Sequence, residues 1–330
     1  MKTTIFGAGA VGGHLAARLA AAGAAVSAVC RGAQLAAIRE QGITLHIAEE
    51  RYHARLNATD RPEELGRQDL VIVTVKSSVL PHLASSIATL CGPDTVVVFA
   101  MNGIPWWYLH RAALKAPAPD LSRLDPDGAL AREIGHERVI GCMINSANEV
   151  IEPGVVKNSP MTKNKFTLGE PDGTRSSRIA AISAELERYG LEVPITEAIR
   201  VEIWDKLLRN LATSPICALT GEPIGVIGRH PELYETSRSL MREGLAVARA
   251  HGIDVADNFQ SSYGARPTSP HKSSMLQDFE RGRPPEIDGI LTSVQAFARA
   301  ADIPTPTVDA VTSLVVEKAR RIGLYPKADW

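Results

Sequence analysis

The chain has 330 residues, 45% of them hydrophobic, and its 36 basic and 37 acidic side chains give a formal net charge of −1. This length allows two domains with hydrophobic cores, and the balanced charge gives no indication of a nucleic-acid groove or an anionic membrane surface. No apolar run approaches the ~20 residues of a membrane-spanning helix and no signal-peptide pattern is evident, so we expect a cytoplasmic protein. The four cysteines lie singly without CxxC spacing, which disfavours disulfides and zinc.

The first motif is a glycine-rich turn near the start of the chain. A strand-like run, Lys2 to Phe6, precedes Gly7-Ala8-Gly9-Ala10-Val11-Gly12, and an alanine-rich helical pattern follows. This order is typical of a turn that binds a dinucleotide pyrophosphate at a helix start. We expect Gly7 to form the tight turn, Gly9 to admit the phosphate, and Gly12 to allow helix and strand to pack closely. The alternative is a glycine-rich turn without a ligand.

The residue after the second predicted strand indicates which cofactor binds. Ala25 to Val29 has a strand pattern, and Arg31 follows it without a neighbouring carboxylate. An acidic residue at this position would bind the ribose 2′-hydroxyl of NAD, whereas a basic residue accommodates a 2′-phosphate. The sequence therefore favours NADPH over NADH. Arg31 could instead be a solvated turn residue.

Two further apolar runs, 69–75 and 94–100, are typical of strands buried on both faces of a parallel sheet. Lys76 and Asn102 follow them, at the edge where open parallel sheets bind ligands, although both residue types are also common in turns. We predict an α/β fold with a Rossmann-type doubly wound sheet. Other sheet-domain elements are predicted at 33–41, 43–46, 52–57, 138–144, 154–157, 165–168, 177–189 and 191–196.

The chain changes character near residue 197, after which long helical patterns dominate. We therefore predict a dinucleotide-binding domain over 1–196 and an all-helical domain over 197–330. The proline-rich stretch 116–126 is interpreted as a surface insertion, because strand-like segments resume after it. Further helices are predicted over 231–252, 273–278, from Pro284 to about 301, and over 307–322.

The most informative helical pattern covers 197–214. An apolar line recurs every four positions at Ile199, Ile203, Leu207 and Leu211. Lys206, Asn210 and Ser214 form a second line on the same helix, which is an unusual composition for a solvated face. An exposed ion pair between Glu202 and Lys206 is the alternative interpretation. We expect Pro215 to end or kink this helix.

Six motifs in order resemble the ketopantoate reductase (2-dehydropantoate 2-reductase) family over essentially the whole chain. They are Gly7 to Gly12, Val75-Lys76, Asn102-Gly103, Trp204 to Asn210, Ser273 to Asp278 and Glu286 to Asp288. The resemblance implies a Rossmann domain, a helical domain, and NADPH and substrate bound in a cleft between them. It also implies hydride transfer to a 2-keto acid, which for ketopantoate is a step toward pantothenate and coenzyme A.

The resemblance also assigns roles position by position. Lys206 matches the catalytic lysine and Glu286 the glutamate that works beside it. Four other residues match substrate-holding groups (Asn210, Ser274) and positions close to the cofactor (Asn102, Lys76). A lysine suits the reaction, because a cation with a transferable proton stabilises and neutralises the charge that develops on the carbonyl oxygen.

One position departs from the family pattern. Ser214 stands where the family usually has a second asparagine, and serine is shorter and offers one donor rather than two. The substrate is therefore expected to be ketopantoate or another branched or larger 2-keto acid. A dehydrogenase of amines or imines and a non-catalytic dinucleotide-binding regulator are the other hypotheses. A homodimer is plausible for a long helical domain.

Overall fold

The computed structural model describes residues 1–159, 164–260 and 270–327. They form two compact units: the first comprises Met1–Met101, His110–Ala112 and Asp127–Ile199, and the second Asn102–Leu109, Ala113–Pro126 and the chain from Arg200 onward. Two stretches of early chain thus belong to the second unit, which the local sequence patterns do not indicate. No helix in the described part of the chain is both long and apolar enough to span a membrane.

The described residues of the first unit form two β-sheets. Its strands are β1 (Thr3–Phe6), β2 (Val26–Val29), β3 (Ile43–Ile47), β4 (Glu50–Ala54), β5 (Asn57–Thr59), β6 (Gln68–Val73), β7 (Cys91–Ala100), β8 (Val139–Asn145), β9 (Asn148–Glu152), β10 (Val155–Asn158) and β11 (Lys165–Gly169). The larger sheet has the order β11-β8-β7-β6-β1-β2-β5 and the smaller β4-β3-β10-β9. Among the described strands of the larger sheet, β11 and β8 pair antiparallel and all other neighbours pair in parallel.

Apolar side chains explain why the larger sheet lies inside the unit. Ile5, Val71, Val73 and Val97, on three neighbouring strands, are all fully buried. Burial on both faces requires helices on each side, as the continuous apolar runs predicted. The helices of this unit are α1 (Ala10–Ala21), α2 (Gly32–Gln41), α3 (Ala84–Ala88), α4 (Ala129–Glu133) and α5 (Ser177–Arg188). The Rossmann-type prediction is confirmed.

The smaller sheet packs against α1, and the contact is close at Gly13. A Cβ atom there would lie 2.6 Å from Cγ2 of Val156 on β10. The predicted strand at 191–196 is present only as isolated bridges to β11, at Glu192 and Ile195. Pro194 lies between them and has no backbone N–H to contribute to a ladder.

The second unit is helical. Its helices are α6 (Ile199–Thr220), α7 (Ile224–Ile227), α8 (Pro231–Ala250), α9 (Ser274–Glu280), a π-helical turn (Asp288–Thr292), α10 (Ser293–Ala300) and α11 (Pro306–Arg321). An aromatic cluster anchors α6: Nε1 of Trp204 donates to the Tyr108 hydroxyl at 2.7 Å. Both rings meet Phe297 edge-on, with centroid separations of 5.2 Å and 5.3 Å.

The prediction that Pro215 ends or kinks its helix is wrong about the end, since α6 continues to Thr220. Ile216 and Cys217 beyond the proline are buried, and packing of this turn offsets the one hydrogen bond that proline cannot make. A neighbouring carbonyl gains a side-chain donor, because Ser237 Oγ bonds Ala212 O at 2.6 Å.

The interpretation of 116–126 as a surface insertion is wrong for part of the stretch. Leu124 is buried at 5% exposure, and the turn Ser122–Leu124 contacts the π-helical turn at Asp288–Thr292. These residues pack within the second unit, which their proline and polar content does not indicate.

Candidate functional site

The glycine turn of the first unit has a geometry that requires glycine at positions 7 and 12. Gly7 has φ of +107°, and a Cβ on it would lie 2.7 Å from Val75 Cγ1. A Cβ on Gly12 would overlap the Gly7 carbonyl oxygen and Thr74 Oγ1. Thr74 Oγ1 donates to that same carbonyl at 2.5 Å, so the turn is held from the end of β6. A Cβ on Gly9, by contrast, would meet nothing within 4 Å.

This turn fits the pyrophosphate of a dinucleotide. Gly9 is the N-cap residue of α1 and has no side chain with which to cap it, and no acidic residue lies in the first turn. The first intrahelical bond is Gly13 N–H to Gly9 O at 2.7 Å, so the preceding N–H groups have no partner within the helix. Open space at Gly9 and N–H groups at a positive helix end suit an anion. The candidate residues are Gly7, Ala8, Gly9, Ala10, Val11 and Gly12.

Arg31 and Lys76 follow parallel strands in the first unit. Arg31 is exposed, has an extended backbone, and is the N-cap residue of α2, just after β2. Lys76 is half-buried and follows β6. Because β2 and β6 both pair in parallel with β1, both residues lie at the carboxyl edge of the sheet. Their contacts with a cofactor stay predictions.

In the second unit, α6 includes Lys206, Asn210 and Ser214 at four-residue intervals. This spacing places the three side chains along one face of the helix. Lys206 and Asn210 are half-buried, whereas Ser214 is 2% exposed. Trp204, two positions before the lysine, fixes this part of the helix through the aromatic cluster.

Asn102 and Glu286 are in direct contact. The family resemblance places Asn102 close to the cofactor and Glu286 beside the catalytic lysine, and it does not imply this contact. Asn102 Nδ2 donates to Glu286 Oε2 at 3.1 Å, and Glu286 is only 8% exposed. The neighbouring backbone is also joined, because Ile104 N–H donates to Gly289 O at 2.7 Å. A Cβ on Gly103 would overlap Gly289, so glycine is needed for this approach. No local pattern could have revealed a contact between residues 184 positions apart.

The two serines at the start of α9, Ser273 and Ser274, have different surroundings. Ser273 is buried and caps the helix, its Oγ accepting from Leu276 N–H at 3.2 Å. Ser274, the predicted substrate contact, is the exposed first residue of α9. Substrate binding by Ser274, Asn210 and Ser214 therefore stays a prediction.

A Rossmann-type unit with an uncapped glycine turn, followed by a helical unit with a half-buried lysine and a buried carboxylate, is an arrangement typical of nucleotide-dependent oxidoreductases. Two family models match the chain: "Ketopantoate reductase PanE/ApbA" over residues 3–173 and "Ketopantoate reductase PanE/ApbA C terminal" over residues 198–319. The chain belongs to the ketopantoate reductase family.

Individual members of this family are similar to this chain over nearly its whole length. The 2-dehydropantoate 2-reductase of Mesorhizobium japonicum is 42% identical over 98% of this chain and 100% of the relative. A crystal structure from Ralstonia solanacearum, assigned to the ketopantoate reductases, is 36% identical with a TM-score of 0.90, covering 98% of this chain and 99% of that one. The 2-dehydropantoate 2-reductase of Geobacter metallireducens is 26% identical with a TM-score of 0.83, covering 97% and 100%.

Proposed function

We propose that this chain reduces 2-dehydropantoate to pantoate with NADPH. The observation that carries the proposal is the buried Glu286 carboxylate, held by the Asn102 amide in the unit that also contains the half-buried Lys206. The 42% identical 2-dehydropantoate 2-reductase supports the choice of substrate. A homodimer and a cytoplasmic location remain predictions from the sequence.

Each group of candidate residues has a task in this reaction. NADPH, when bound, supplies the hydride that the carbonyl carbon receives. The N–H groups of the glycine turn would hold the pyrophosphate, and Arg31 the 2′-phosphate. Lys206 would donate a proton from Nζ to the carbonyl oxygen as negative charge develops there. Glu286 would accept a hydrogen bond from the new hydroxyl, with Asn102 fixing the carboxylate.

A related 2-keto acid is the second candidate substrate. Ser214 is smaller than the asparagine usual in the family, and its buried position means that its size affects the packing around this part of α6. A shorter side chain in the substrate pocket would leave room for a longer or more branched substituent on the keto acid.

The test is a panel of 2-keto acids assayed with NADPH and NADH side by side, following loss of the reduced cofactor. We expect 2-dehydropantoate with NADPH to give the highest kcat/KM. NADH should give a lower value, because it lacks the 2′-phosphate that Arg31 would bind. A higher kcat/KM for a larger keto acid would establish the second candidate. Turnover that requires added ammonia would indicate an imine substrate, and no turnover with any keto acid would refute the reductase.

A further inference from the structure

Residues from three distant parts of the second unit meet at the Asp288 carboxylate. The Tyr325 hydroxyl donates to Asp288 Oδ1 at 2.6 Å, and Thr292 Oγ1 donates to the same oxygen at 2.8 Å. Arg123 Nη1 donates to the Tyr325 hydroxyl at 3.0 Å and lies 3.8 Å from Asp288 Oδ1. We call Arg123, Asp288, Thr292 and Tyr325 the Asp288 cluster.

The Asp288 cluster holds the segment that directly follows Glu286. Asp288 opens the π-helical turn, and its carbonyl oxygen accepts from Ser293 N–H, five residues ahead. On the other side, the 102–104 stretch bonds Glu286 and Gly289, as described above. The segment 286–289 is therefore tied to the early chain at Glu286 and Gly289 and to Tyr325 at Asp288. π-Helical turns are rare and frequently occur at functional sites.

The contacts of the cluster differ in strength. A hydroxyl bonded to a carboxylate forms a short, charge-assisted hydrogen bond, and the Asp288 side chain is only 27% exposed. Arg123 is 65% exposed and more distant from the carboxylate, so its ion pair is weak. Burial, followed by the bond to Asp288, raises the pKa of Tyr325, so its hydroxyl keeps its proton in any ordinary assay. Tyr325 is accordingly the main tether, and Arg123 supports it.

We propose that Tyr325, oriented by Arg123, is a positioning residue for Glu286. It fixes the π-helical turn and so the direction in which the Glu286 carboxylate points. The proposal rests on the proposed function, since it assumes that Glu286 contacts the substrate. It also gives a role to the 113–126 stretch and to the chain end after α11, neither of which the proposed mechanism uses.

The first test removes only the tether. Tyr325→Phe should lower kcat for 2-dehydropantoate about tenfold, because a small misplacement of a reacting group is costly, while KM for NADPH stays unchanged. Tyr234→Phe is the matched control. Tyr234 lies on α8, distant in sequence from the Asp288 cluster, and its hydroxyl donates to Gln260 Oε1 at 2.8 Å. Loss of this hydroxyl should leave kcat unchanged. If Tyr325→Phe and Tyr234→Phe have the same kcat, the positioning role is refuted.

A double variant tests whether the effect passes through Asp288. Asp288→Asn alone should lower kcat. In the double variant with Tyr325→Phe, kcat should fall by less than the product of the two single reductions, because both substitutions remove the same Tyr325–Asp288 contact. Arg123→Met should give a smaller loss, about two- to threefold, and Arg123→Lys less still. Fully multiplicative effects would show that Tyr325 does not act through Asp288.

Amide hydrogen exchange gives a readout that does not depend on activity. Peptides covering 285–293 should exchange faster in Tyr325→Phe than in the wild type or Tyr234→Phe. Unchanged exchange refutes the tether, and faster exchange with unchanged kcat shows a purely structural contact. If the wild type reduces no keto acid, the proposed function fails, and exchange alone decides whether Tyr325 holds this segment.

Discussion

Lys206 is the residue on which the proposed chemistry most depends. We expect Lys206→Ala to lower kcat by about 10² to 10⁴-fold, the usual contribution of a general acid, and to leave NADPH affinity unchanged. Lys206→Arg should recover little, because guanidinium keeps its charge but gives up its proton too reluctantly. Steady-state kinetics and titration of bound NADPH fluorescence would check both variants.

The control for this variant is Lys157→Ala, which removes an exposed lysine from β10 of the first unit. Its kcat should match the wild type. Turnover by Lys206→Ala within a few-fold of this control would exclude Lys206 as the proton donor and would leave another group to be found.

Individual residues were predictable where one element carries the pattern. The spacing of Lys206, Asn210 and Ser214 depends only on helix geometry, and α6 does contain all three. The Asn102–Glu286 bond and the convergence on Asp288 depend on how distant segments pack, which no local pattern encodes. Ser273 and Ser274 are adjacent in sequence, and only the observed helix start shows which of them caps α9.

At the scale of the element, the glycine turn allows two substitutions with opposite effects. Gly9→Ala places a methyl group in open space, so the thermal unfolding midpoint should stay unchanged. KM for NADPH should rise about tenfold or more, because the methyl group occupies the place expected for a phosphate. Gly12→Ala places a methyl group against the Gly7 carbonyl and Thr74, and such overpacking lowers the free energy of unfolding by about 1 to 3 kcal/mol.

Thermal unfolding and NADPH kinetics on both variants separate these effects. Each variant serves as the control for the other, because the same atom group is added three residues apart. A Gly9→Ala protein that binds NADPH normally would contradict the assignment of the turn to the pyrophosphate, whatever its stability.

Most elements follow from apolar periodicity, and the exceptions have physical causes. Continuous apolar runs predicted the buried strands β6 and β7, because a parallel sheet covered on both faces needs them. Helix α6 passes through Pro215 because the next turn is buried, a tertiary effect that outweighs propensity. The 191–196 segment pairs only in part, because Pro194 interrupts its donors.

At the scale of the whole molecule, the sequence predicted the two kinds of unit but not how the chain is shared between them. Residues 102–109 and 113–126 belong to the helical unit, although they lie between parts of the sheet unit in the chain. Tyr108 shows why: it is fully buried and packs on Trp204 and Phe297, residues that follow it by about a hundred positions or more. Its burial depends on these distant partners rather than on its neighbours in sequence.

The stability of the whole chain should depend on pH through His14 of α1. This side chain is 1% exposed, and its Nδ1 lies 2.9 Å from Asn148 Oδ1. Burial is the largest effect and lowers the pKa of His14 from 6.5 to about 4, with Nδ1 carrying the proton that Asn148 accepts. The folded protein thus keeps this histidine neutral over a range in which the unfolded chain protonates it.

The direction of the effect follows from proton linkage. Between about pH 6.5 and pH 4 the unfolded chain binds a proton at this histidine that the folded state does not. The contribution of His14 to the free energy of unfolding therefore falls as the pH falls through this range, and it is constant above it. The full effect is about 3 kcal/mol, of which about 2 kcal/mol should be lost between pH 7.5 and pH 5. His14→Gln keeps an amide donor for Asn148 but cannot titrate. Urea unfolding at both pH values should therefore show a smaller loss for His14→Gln than for the wild type, and equal losses would refute a neutral buried His14.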